Sequence, residues 1–469
     1  MLQKVIILGG GPAGLSAGYA LVKKGYEVII LEKEKQVGGI SKTVEEKGYR
    51  FDLGGHRFFT KIEEVENLWN EVLEEEFLLR PRLSRIYYRG KFFDYPIKPF
   101  NALGGLGLYE AFLILFSYAK VKVSPIKPEE SFEDWVVNRF GRRLFEHFFK
   151  SYTEKVWGIS TKELKAEWAA QRIQGLSLIS AVTNALLKQL RKNKIKTLIE
   201  EFHYPRLGPG QMYESIAKAI ENSGGQVLLN VKVNAINMKS DRIHSVCFID
   251  KDGIEKEFTA DDFITSLPLR DLLNMLRPQP EESVQTAANL LKYRDFLTVN
   301  LALNKEFLFP DNWIYVHSPE VKLGRAQNFK QWSPAMVPEK GCSSLGLEYF
   351  CNEGDELWSS PDEDLIRLAA DEISKIGLIE SGLVKWGFVI RVPKAYPVYD
   401  DDYQEAMPVI KSFLSGLGNL QTIGRNGLHR YNNMDHSILT GLLAARNITG
   451  ETHDLWQVNM EEEYHEEIK

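Results

Sequence analysis

The first part of the chain alternates between apolar and polar stretches in an order that predicts a strand, a turn, a helix and a second strand. Residues 5–8 form an unbroken apolar and mainly β-branched run, and a glycine-rich turn at residues 9–14 follows it. Residues 13–24 have the periodicity of a helix that ends at Gly25, and residues 26–31 form a second apolar run. This order predicts a βαβ unit with a tight turn between the first strand and the helix.

The glycines of this turn fit the spacing G-x-G-x-x-G at Gly9, Gly11 and Gly14. In that pattern the first glycine permits the tight turn, the second lets backbone approach a pyrophosphate, and the third lets the helix pack closely on the strand. The helix begins near Pro12 and Ala13, so its free N–H groups and positive dipole end would face the same pyrophosphate. Any tight strand-to-helix turn can carry these glycines without a ligand. The neighbouring elements therefore decide whether the turn predicts a dinucleotide site.

That context includes an acidic residue, Glu32, at the end of the second predicted strand. A carboxylate at this place accepts hydrogen bonds from an adenosine ribose, and it suits free hydroxyls better than a 2′-phosphate. Strand, turn, helix, strand and acid in this register predict that a dinucleotide binds here.

The pattern of the remaining chain changes twice. Residues 101–208 are mostly helical by periodicity, whereas strands dominate from residue 296 onward. The other predicted elements are a helix at residues 211–222, strands at 226–236, 243–249, 254–260, 263–267, 296–303, 313–317, 345–351, 384–392 and 420–423, and a helix at 435–447.

These elements predict an α/β fold with three regions. A Rossmann-like dinucleotide domain is discontinuous and takes residues 1–100, 208–295 and 418–450. An inserted helical lobe takes residues 101–207, and an antiparallel-sheet substrate domain takes residues 296–417.

Composition narrows the class of protein without naming a function. The 469 residues are 44% hydrophobic and 26% charged, which is typical of a globular protein. The formal net charge of −6 argues against nucleic acid as the main partner, and the three cysteines lack metal-ligand spacing. A strand that starts almost at Met1, with no leader pattern, predicts a cytoplasmic protein.

Two segments come nearest to a membrane signal. Residues 102–119 are largely apolar, but glycines and Glu110 interrupt them, so they predict a buried or lid helix rather than a transmembrane one. Residues 179–199 are amphipathic and basic. They predict a weak contact with a membrane surface or, more often for such a pattern, a solvated helix face.

Two further glycine segments offer candidate chemistry. Gly38 and Gly39 follow the second predicted strand, and such a pair lets backbone lie against a cofactor. Residues 48–53 predict a strand that runs into Gly54-Gly55-His56. A histidine on a double-glycine loop can present a ring nitrogen to a neighbour, although a turn with an incidental histidine has the same sequence.

The opening fold and three motifs resemble the FAD enzymes that include amine oxidases and protoporphyrinogen oxidase, and among these UDP-galactopyranose mutase, especially its eukaryotic type. Residues 51–56, FDLGGH, resemble that family's F-D-x-G-G-H, residues 424–431, GRNGLHRY, its G-R-x-G-x-[YW]-[KR]-Y, and residues 435–437 its D-H-S. The resemblance implies a FAD-binding domain of the glutathione-reductase type. The cofactor contacts it implies are Gly9, Gly11, Pro12, Ala13, Gly14, Glu32, Lys33, Gly38, Gly39, Gly55, His56, Val233, Gly424, Arg425 and Met434.

The same resemblance implies a site for a nucleoside diphosphate sugar. Arg172 and Arg325 match arginines that clamp the diphosphate, and two guanidinium groups suit its two negative charges. Taken singly, each arginine would more often form a surface ion pair. The other substrate contacts are the aromatic residues Phe148 and Trp313, next to the nucleobase, and the tyrosines Tyr315, Tyr396 and Tyr431.

A second nucleotide is implied as the reductant of the flavin. The residues that match the NADPH contacts of eukaryotic members are Arg82, Ser84 and Tyr95. The chain also departs from the family pattern. His429 stands where the family has an aromatic residue, Lys98 where a glutamine contacts the base, and Ile40 where amine oxidases usually have arginine.

The implied reaction interconverts pyranose and furanose forms of a nucleotide sugar through a sugar adduct at N5 of reduced FAD. His56 would steady the reduced flavin, and Arg172 and Arg325 would hold the leaving diphosphate. A FAD oxidoreductase of the protoporphyrinogen oxidase or amine oxidase type explains the dinucleotide half equally well, but not the arginines with Tyr396 and Tyr431. A non-enzymatic flavin-binding regulatory or assembly protein is the third alternative.

Overall fold

The computed structural model describes residues 2–95, 97–166, 201–380 and 382–460. At its centre is a five-stranded sheet whose neighbouring strands are all parallel. Its strands are β1 Lys4–Leu8, β2 Glu27–Leu31, β9 Gln226–Leu228, β13 Asp262–Thr265 and β20 Leu420–Thr422. They lie in the order β20-β13-β1-β2-β9, so the return of a late strand to the first sheet is confirmed, as is the α/β class.

Both faces of this sheet are covered, which explains why its strands are continuous apolar runs. Val5 and Ile7 of β1 belong to one core, and Ile6 and Leu8 to the other. The helices on the first face are α1 Pro12–Lys23, α8 Gly210–Asn222 and α16 Met434–Ile448. Those on the second face are α9 Leu269–Met275, α10 Glu282–Leu290 and α14 Asp401–Ser415.

The single strand predicted at residues 226–236 is wrong. β9 ends at Leu228, and β10 Lys232–Lys239 begins a separate sheet. Asn230 has a φ of 56°, a left-handed conformation that asparagine tolerates better than most residues. The Val231 N–H then donates at 2.9 Å to the carbonyl oxygen of Glu32, the residue that directly follows β2. The segment after β9 therefore turns beside the end of β2.

The hairpin predicted near residues 243–260 is confirmed. Its strands, β11 Arg242–Ile249 and β12 Glu255–Thr259, pair antiparallel. β10 extends this sheet on one side, and β14 Leu276–Arg277 completes it.

The third layer is a seven-stranded sheet of mainly antiparallel strands, as predicted for the region after residue 296. Its strands are β6 Ser84–Tyr88, β7 Lys91–Asp94, β15 Tyr293–Leu303, β16 Trp313–Val316, β17 Arg325–Asn328, β18 Ser343–Cys351 and β19 Val384–Pro397. The order is β19-β15-β18-β17-β16-β6-β7.

The assignment of residues 1–100 to the dinucleotide domain is therefore corrected at β6 and β7. β6 pairs in parallel with β16, with Ser84 opposite Trp313. This pairing joins segments far apart in the sequence, so no local pattern indicates it.

The helical region begins with two helices where the sequence predicted one. α3 Pro99–Leu106 and α4 Leu108–Val123 are separated by Gly107, whose φ of 96° breaks the helix. Of the two alternatives predicted here, a buried or a lid helix, complete burial is excluded for α4, because Leu108 is 90% exposed and Phe112 is 66% exposed.

The region continues with α5 Phe132–Phe140, α6 Arg142–Phe145 and α7 Ser151–Trp157. Residues 179–199 lie outside the described residues. In the part of the chain that the structure describes, no helix has both the length and the apolarity to cross a membrane.

The remaining elements connect the three layers. The two-stranded sheets are β3 Thr43–Glu46 with β4 Tyr49–Asp52, and β5 Phe77–Pro81 with β8 Glu201–Pro205. The helices are α2 Glu63–Leu73, α11 Phe329–Trp332, α12 Glu356–Ser359, α13 Asp362–Lys375 and α15 Gly424–Gly427. β8 places a strand at the end of the stretch that was predicted to be mostly helical.

Helices α1 and α16 approach each other closely at Gly441, and this contact gives a stability prediction. A Cβ at Gly441 would lie 2.1 Å from the Ala13 carbonyl oxygen and 2.4 Å from Ser16 Oγ. Because backbone must move to relieve that overlap, we expect Gly441→Ala to lower the free energy of unfolding by about 1–3 kcal/mol in urea denaturation.

Gly104→Ala is the matched control. Nothing lies within 4 Å of a Cβ at Gly104, which is also helical. We expect this control to be neutral or slightly stabilising, and equal stability of the two variants would contradict the close contact.

Candidate functional site

The turn between β1 and α1 has the geometry that its glycines predict. Gly9 has a φ of 106°, and a Cβ at Gly14 would lie 2.0 Å from the Gly9 carbonyl oxygen. A Cβ at Gly11 would meet only Gly39 Cα, at 3.9 Å. Gly9 and Gly14 are therefore required by the fold itself, whereas Gly11 leaves open space.

A second glycine turn lies against the first. Gly38 and Gly39 have φ values of 103° and 55°, and the Gly38 N–H donates to the Gly10 carbonyl oxygen at 2.8 Å. The N-cap of α1 is Gly11, and no side chain caps it. Backbone without side chains thus lines this turn on both sides, so a pyrophosphate could approach the start of α1 closely.

The carboxylate of Glu32 lies under this cradle. It is 6% exposed, and it accepts hydrogen bonds from the Gly10 N–H at 2.7 Å and the Glu34 N–H at 2.9 Å. Lys33, its neighbour, has a largely exposed side chain 4.0 Å from Glu34. Glu32 is thereby fixed beside the turn where the sequence predicts the adenosine ribose.

The late part of the chain returns to the same turn. A Cβ at Gly424 would lie 3.1 Å from the Ala13 Cβ, and the Gly424 N–H donates to Thr440 Oγ1 at 2.9 Å. Met434 is the first residue of α16 and is buried. Val233, in β10, is also buried.

His56 lies between this cofactor region and two arginines. Gly54 before it has a φ of 110°, and the buried Nδ1 of His56 has no hydrogen-bond partner among the described residues. Burial, with the positive charges of Arg425 and Arg325, lowers the pKa of His56 to about 3. The imidazole is therefore neutral at physiological pH, with one ring nitrogen available to a ligand.

These observations test whether the described residues suit a FAD cofactor. An open cradle faces Gly11, a fixed carboxylate lies where a ribose is expected, and a buried imidazole nitrogen at His56 has no partner. Each of these features matches one part of a flavin dinucleotide, so the residues fit the group.

Arg325 is held by a buried acid that the sequence analysis missed. Its Nε donates to Oε1 of Glu348 at 2.9 Å, and its Nη2 donates to Oε2. Gln327 Nε2 also donates to Glu348, at 2.8 Å. Glu348 is 1% exposed, so this bidentate pair fixes the orientation of the guanidinium.

The glycine-histidine loop packs on this ion pair. A Cβ at Gly54 would lie 3.5 Å from Glu348 Oε1, and one at Gly55 would lie 2.9 Å from Gln327 Nε2. A cavity of about 60 Å³ is lined by both the glycine-histidine loop and the arginine of this ion pair. Its lining residues are Gly55, Arg57, Trp313, Tyr315, Arg325, Gln327 and Trp332.

Tyr396 and Tyr431 form a stacked pair, with ring centroids 5.4 Å apart and planes at 12°. The Arg425 guanidinium lies 4.6 Å from the Tyr431 centroid and donates to the carbonyl oxygens of Asn432 and Ala395 at 2.9 and 3.0 Å. Burial raises the pKa of Tyr396. Its hydroxyl therefore keeps its proton and can donate to an anion.

Trp313 and Tyr315 lie on the side of the cavity nearest to Arg82. Trp313 stacks on Trp332 at 5.2 Å, and Tyr315 contacts the Tyr95 ring at 4.7 Å. The Arg82 guanidinium lies 5.5 Å from the Trp313 centroid and 5.7 Å from that of Tyr95. Arg82 and Tyr95 are thus neighbours, as the NADPH interpretation requires.

The remaining predicted ligand contacts are Phe148, Ser84 and Arg172. Phe148 is 2% exposed and packs on Tyr88 and Phe93 in the core of the helical region, so its contact with a nucleobase stays a prediction. Ser84 is 4% exposed, and its buried Oγ has no hydrogen-bond partner among the described residues. Arg172 lies outside the described residues.

Two of the three departures from the family pattern are accounted for locally. His429 is fully buried between the rings of Tyr293 and Tyr403, so it serves as a core aromatic residue. Lys98 forms a surface ion pair with Asp94 at 3.0 Å.

Lys155 and Tyr152 are two further residues that the sequence analysis missed. Lys155 Nζ donates to the carbonyl oxygens of Val316, Ser318 and Leu323 at 2.9–3.1 Å. It thereby fixes the connection that leads into β17 and Arg325. Tyr152 is edge-on to Tyr315, with centroids 5.7 Å apart. Spacing gives no signal for either residue, since both lie in α7, far from β17 in the sequence.

Asp52, at the end of β4, gives a pH prediction. It is 1% exposed and accepts hydrogen bonds from Thr43 Oγ1 at 2.8 Å and from the Tyr204 hydroxyl. Burial raises its pKa to about 7. Between pH 4 and 7 the folded state therefore holds a proton that the unfolded state releases, so this group's contribution to stability falls as pH rises.

Asp52→Asn removes this titration. We expect the free energy of unfolding of the wild type, relative to the variant, to decline between pH 4.5 and 8 by up to about 4 kcal/mol. Urea denaturation across that range measures the decline, and parallel pH profiles would contradict the raised pKa.

In the described part of the chain, no group of three or more histidine, cysteine, aspartate or glutamate residues could hold a metal ion. What converges instead is a backbone phosphate cradle, a neutral histidine and two arginines. Together with the parallel sheet and its antiparallel neighbour, these features define the class as a flavin enzyme with a dinucleotide-binding domain.

The chain belongs to the family described as flavin containing amine oxidoreductase, which matches residues 12–449. A 15-cis-phytoene desaturase from an Oncidium hybrid cultivar is 23% identical over 399 residues, which cover 80% of this chain and 64% of that protein. The protein named "Probable UDP-galactopyranose mutase" from Klebsiella pneumoniae is 28% identical over 174 residues, or 35% of this chain and 43% of that protein. The chain thus spans less than two thirds of these relatives.

Two solved structures have similar folds. Reduced UDP-galactopyranose mutase has a TM-score of 0.82 and 21% identity, with 99% of each chain covered. Wild-type putrescine oxidase bound to putrescine has a TM-score of 0.62 and 14% identity, with 96% of this chain and all of that chain covered. At these identities the likeness shows the fold alone.

Proposed function

We propose that this flavin enzyme is a nucleotide-sugar mutase that interconverts pyranose and furanose forms without net oxidation. The observation that carries the proposal is the position of Arg325. It lies beside the glycine-histidine loop, in a cavity with Trp313 and Tyr315, and its charge acts on Tyr396. An oxidation of an amine or a hydrocarbon has no need of a fixed arginine at this place.

The charges around the site suit an anionic leaving group. Glu348 accepts from Nε and Nη2 of Arg325, while Nη1 makes no hydrogen bond to a described residue. Arg425 adds a second positive charge near His56. Two arginines against one carboxylate leave a net positive charge, and the protonated Tyr396 hydroxyl adds a neutral donor. A diphosphate combines the charge and the acceptors that such a site requires.

Each group has a part in the proposed reaction. A reduced flavin, held by the glycine turn and His56, would supply the nucleophile for the anomeric carbon. Arg325, Tyr396 and Tyr431 hold the diphosphate as it leaves, so that it stays within reach for return. His56, neutral at physiological pH, orients the cofactor without adding charge. Arg172, by resemblance, is the second arginine of the clamp.

The proposed contacts of the reductant and of the nucleobase involve fewer residues than the diphosphate clamp. Arg82, between the rings of Trp313 and Tyr95, is a suitable contact for the phosphate of NAD(P)H. Of the two predicted nucleobase contacts, Phe148 and Trp313, we favour Trp313, which is stacked on Trp332, as the platform for the base.

An oxidoreductase is the second candidate. The description of the family and the named activity of the phytoene desaturase relative favour it. Against it stands the buried ion pair next to the cavity, since a desolvated charge is an unfavourable neighbour for a hydrocarbon. A flavin-binding protein without activity would not need this convergence of charged and aromatic side chains.

Anaerobic incubation with nucleotide sugars tests the proposal. Reduced holoenzyme is mixed with UDP-galactopyranose, UDP-galactofuranose and a panel of other UDP-, dTDP- and GDP-sugars, and the products are separated by chromatography. We expect ring isomers from the reduced enzyme and none from the oxidised control. No isomer from any sugar, with oxygen-dependent oxidation of an amine or a porphyrinogen, would establish the oxidoreductase instead.

A further inference from the structure

The helix α4, Leu108–Val123, is apolar on two sides. Its inner side packs into the core through Ile114, Tyr118 and Val121, all less than 9% exposed. Its outer side faces away from the protein. The exposed residues there are Leu108 at 90%, Tyr109 at 78%, Phe112 at 66%, Leu115 at 48%, Phe116 at 64% and Val123 at 87%.

This outer face is larger than scattered surface apolar residues would give. At roughly 200 Å² for each ring, Tyr109, Phe112 and Phe116 alone expose on the order of 400 Å², and Leu108, Leu115 and Val123 add to it. The largest apolar patch on a typical monomer is about 300–600 Å² and often functional. An exposed apolar patch of this size on one helix marks an interaction surface.

The charges of α4 indicate the chemistry of that partner. Its single acid, Glu110, lies on the inner side, paired with Arg143 and with His147 at 2.8 Å. Lys120 and Lys122 are exposed, and at about 3.6 residues per turn they lie on opposite edges of the outer face. The Lys122 Nζ donates to the Asn138 carbonyl oxygen at 3.0 Å, so Lys120 is the lysine that is left to contact a partner. The face is therefore apolar in its middle and basic at its rim.

The length of α4 limits how it can meet a membrane. Its 16 residues span about 24 Å, whereas a transmembrane helix needs about 20 apolar residues. Its inner side is also committed to the core. Contact with lipid is thus possible only with the helix parallel to the surface, and this arrangement suits aromatic and leucine side chains below lysines.

We propose that the outer face of α4 docks this enzyme onto the surface of an anionic lipid bilayer. Leu108, Phe112 and Phe116 enter the boundary between headgroups and acyl chains, and Lys120 contacts the lipid phosphates. A second copy of the chain is the poorer occupant. It would place basic rims together, because the acid of α4 is already paired, and like charges across an interface are costly.

Co-sedimentation of the full-length holoprotein with vesicles tests this docking. The probes are vesicles of phosphatidylglycerol mixed with phosphatidylcholine, and of phosphatidylcholine alone. We expect binding to the anionic vesicles that weakens with salt. Phe112→Glu with Phe116→Glu is expected to reduce the partition coefficient more than tenfold, and Lys120→Gln about fivefold on anionic vesicles.

Phe307→Glu is the matched control. Phe307 is 56% exposed and lies in the chain after β15, outside α4, so its replacement adds one negative charge and removes one exposed ring without changing a residue of the docking face. Flavin absorbance and circular dichroism of every variant show that the fold is kept, independently of any mutase activity. The control is expected to bind vesicles as the wild type does.

Two results would overturn the docking. One is equal loss of vesicle binding in Phe307→Glu and the α4 double variant, because a general charge effect would then explain both. The other is a lipid-free dimer in sedimentation velocity that the α4 double variant dissociates, with no vesicle binding by the wild type. That result would assign the face to a second copy.

Discussion

A double variant that combines Arg325→Ala with Glu348→Gln is expected to keep its flavin but to bind a nucleoside diphosphate about a hundredfold more weakly. Arg325 lies beside the cavity, and Glu348 holds its guanidinium through two hydrogen bonds. Hydrogen bonds to charged groups contribute about 1.5–3 kcal/mol each, so loss of one arginine changes affinity by one to two powers of ten. Isothermal titration with UDP measures the change.

The second substitution is needed because Glu348 is buried. Removal of Arg325 alone would leave the buried carboxylate of Glu348 without a charge partner. Such a loss costs about 3–5 kcal/mol of stability. Glu348→Gln alone is the control: it keeps the Arg325 guanidinium but removes its carboxylate partner, so it should lose stability and still bind UDP more tightly than the double variant. Undiminished UDP affinity in the double variant would remove Arg325 from the clamp.

Gly11→Val is expected to give a folded protein that is nearly colourless as purified. A Cβ at Gly11 meets only Gly39 Cα, at 3.9 Å, and the φ of −82° is accessible to valine. The protein alone therefore accommodates the substitution. A bound pyrophosphate does not, because the second glycine of the turn is where backbone and phosphate approach most closely. Absorbance at 450 nm per polypeptide measures the flavin content.

Gly14→Val is the informative comparison. Its Cβ would lie 2.0 Å from the Gly9 carbonyl oxygen, so it should destabilise the fold itself, and thermal denaturation of the two apoproteins separates the effects. Gly11→Val should melt close to the wild-type apoprotein and Gly14→Val well below it. A yellow, fully loaded Gly11→Val protein would contradict the location of the cradle.

Local pattern was sufficient for the dinucleotide half of the fold. The βαβ unit from Lys4 to Leu31 forms as predicted, because a buried parallel strand, a glycine turn and a helix each leave their own signal in adjacent residues. The hairpin of β11 and β12 was equally accessible, since Asp252 and Gly253 mark its turn.

Long-range pairing was not accessible in the same way. β6 joins the seven-stranded sheet beside β16, and nothing near Ser84 indicates that partner. The break between β9 and β10 was missed because apolar residues continue across Asn230, where a left-handed residue turns the chain. The alternatives of a buried and a lid helix could not be separated for α4, because apolar composition is the same for a helix in the core and for one with an exposed face.

The same difference between local and long-range signals applies to the residues of the candidate site. Gly9, Gly11, Glu32 and His56 could be predicted as ligand contacts because they stand in short motifs. Glu348 was not predicted, although a lone acid in the apolar strand β18 is a signal that burial of a charge requires a partner. Phe148 was placed at the substrate by resemblance alone, and it packs in the core of the helical region.

Turnover counting under anaerobic conditions tests the central claim most directly. The holoenzyme is reduced, excess reductant is removed, and isomerised nucleotide sugar is counted per bound flavin. A mutase without net redox change predicts many products per flavin, with the flavin still reduced at the end. At most one product per flavin, formed as the flavin becomes oxidised or only with continuous supply of an electron acceptor, would contradict the account.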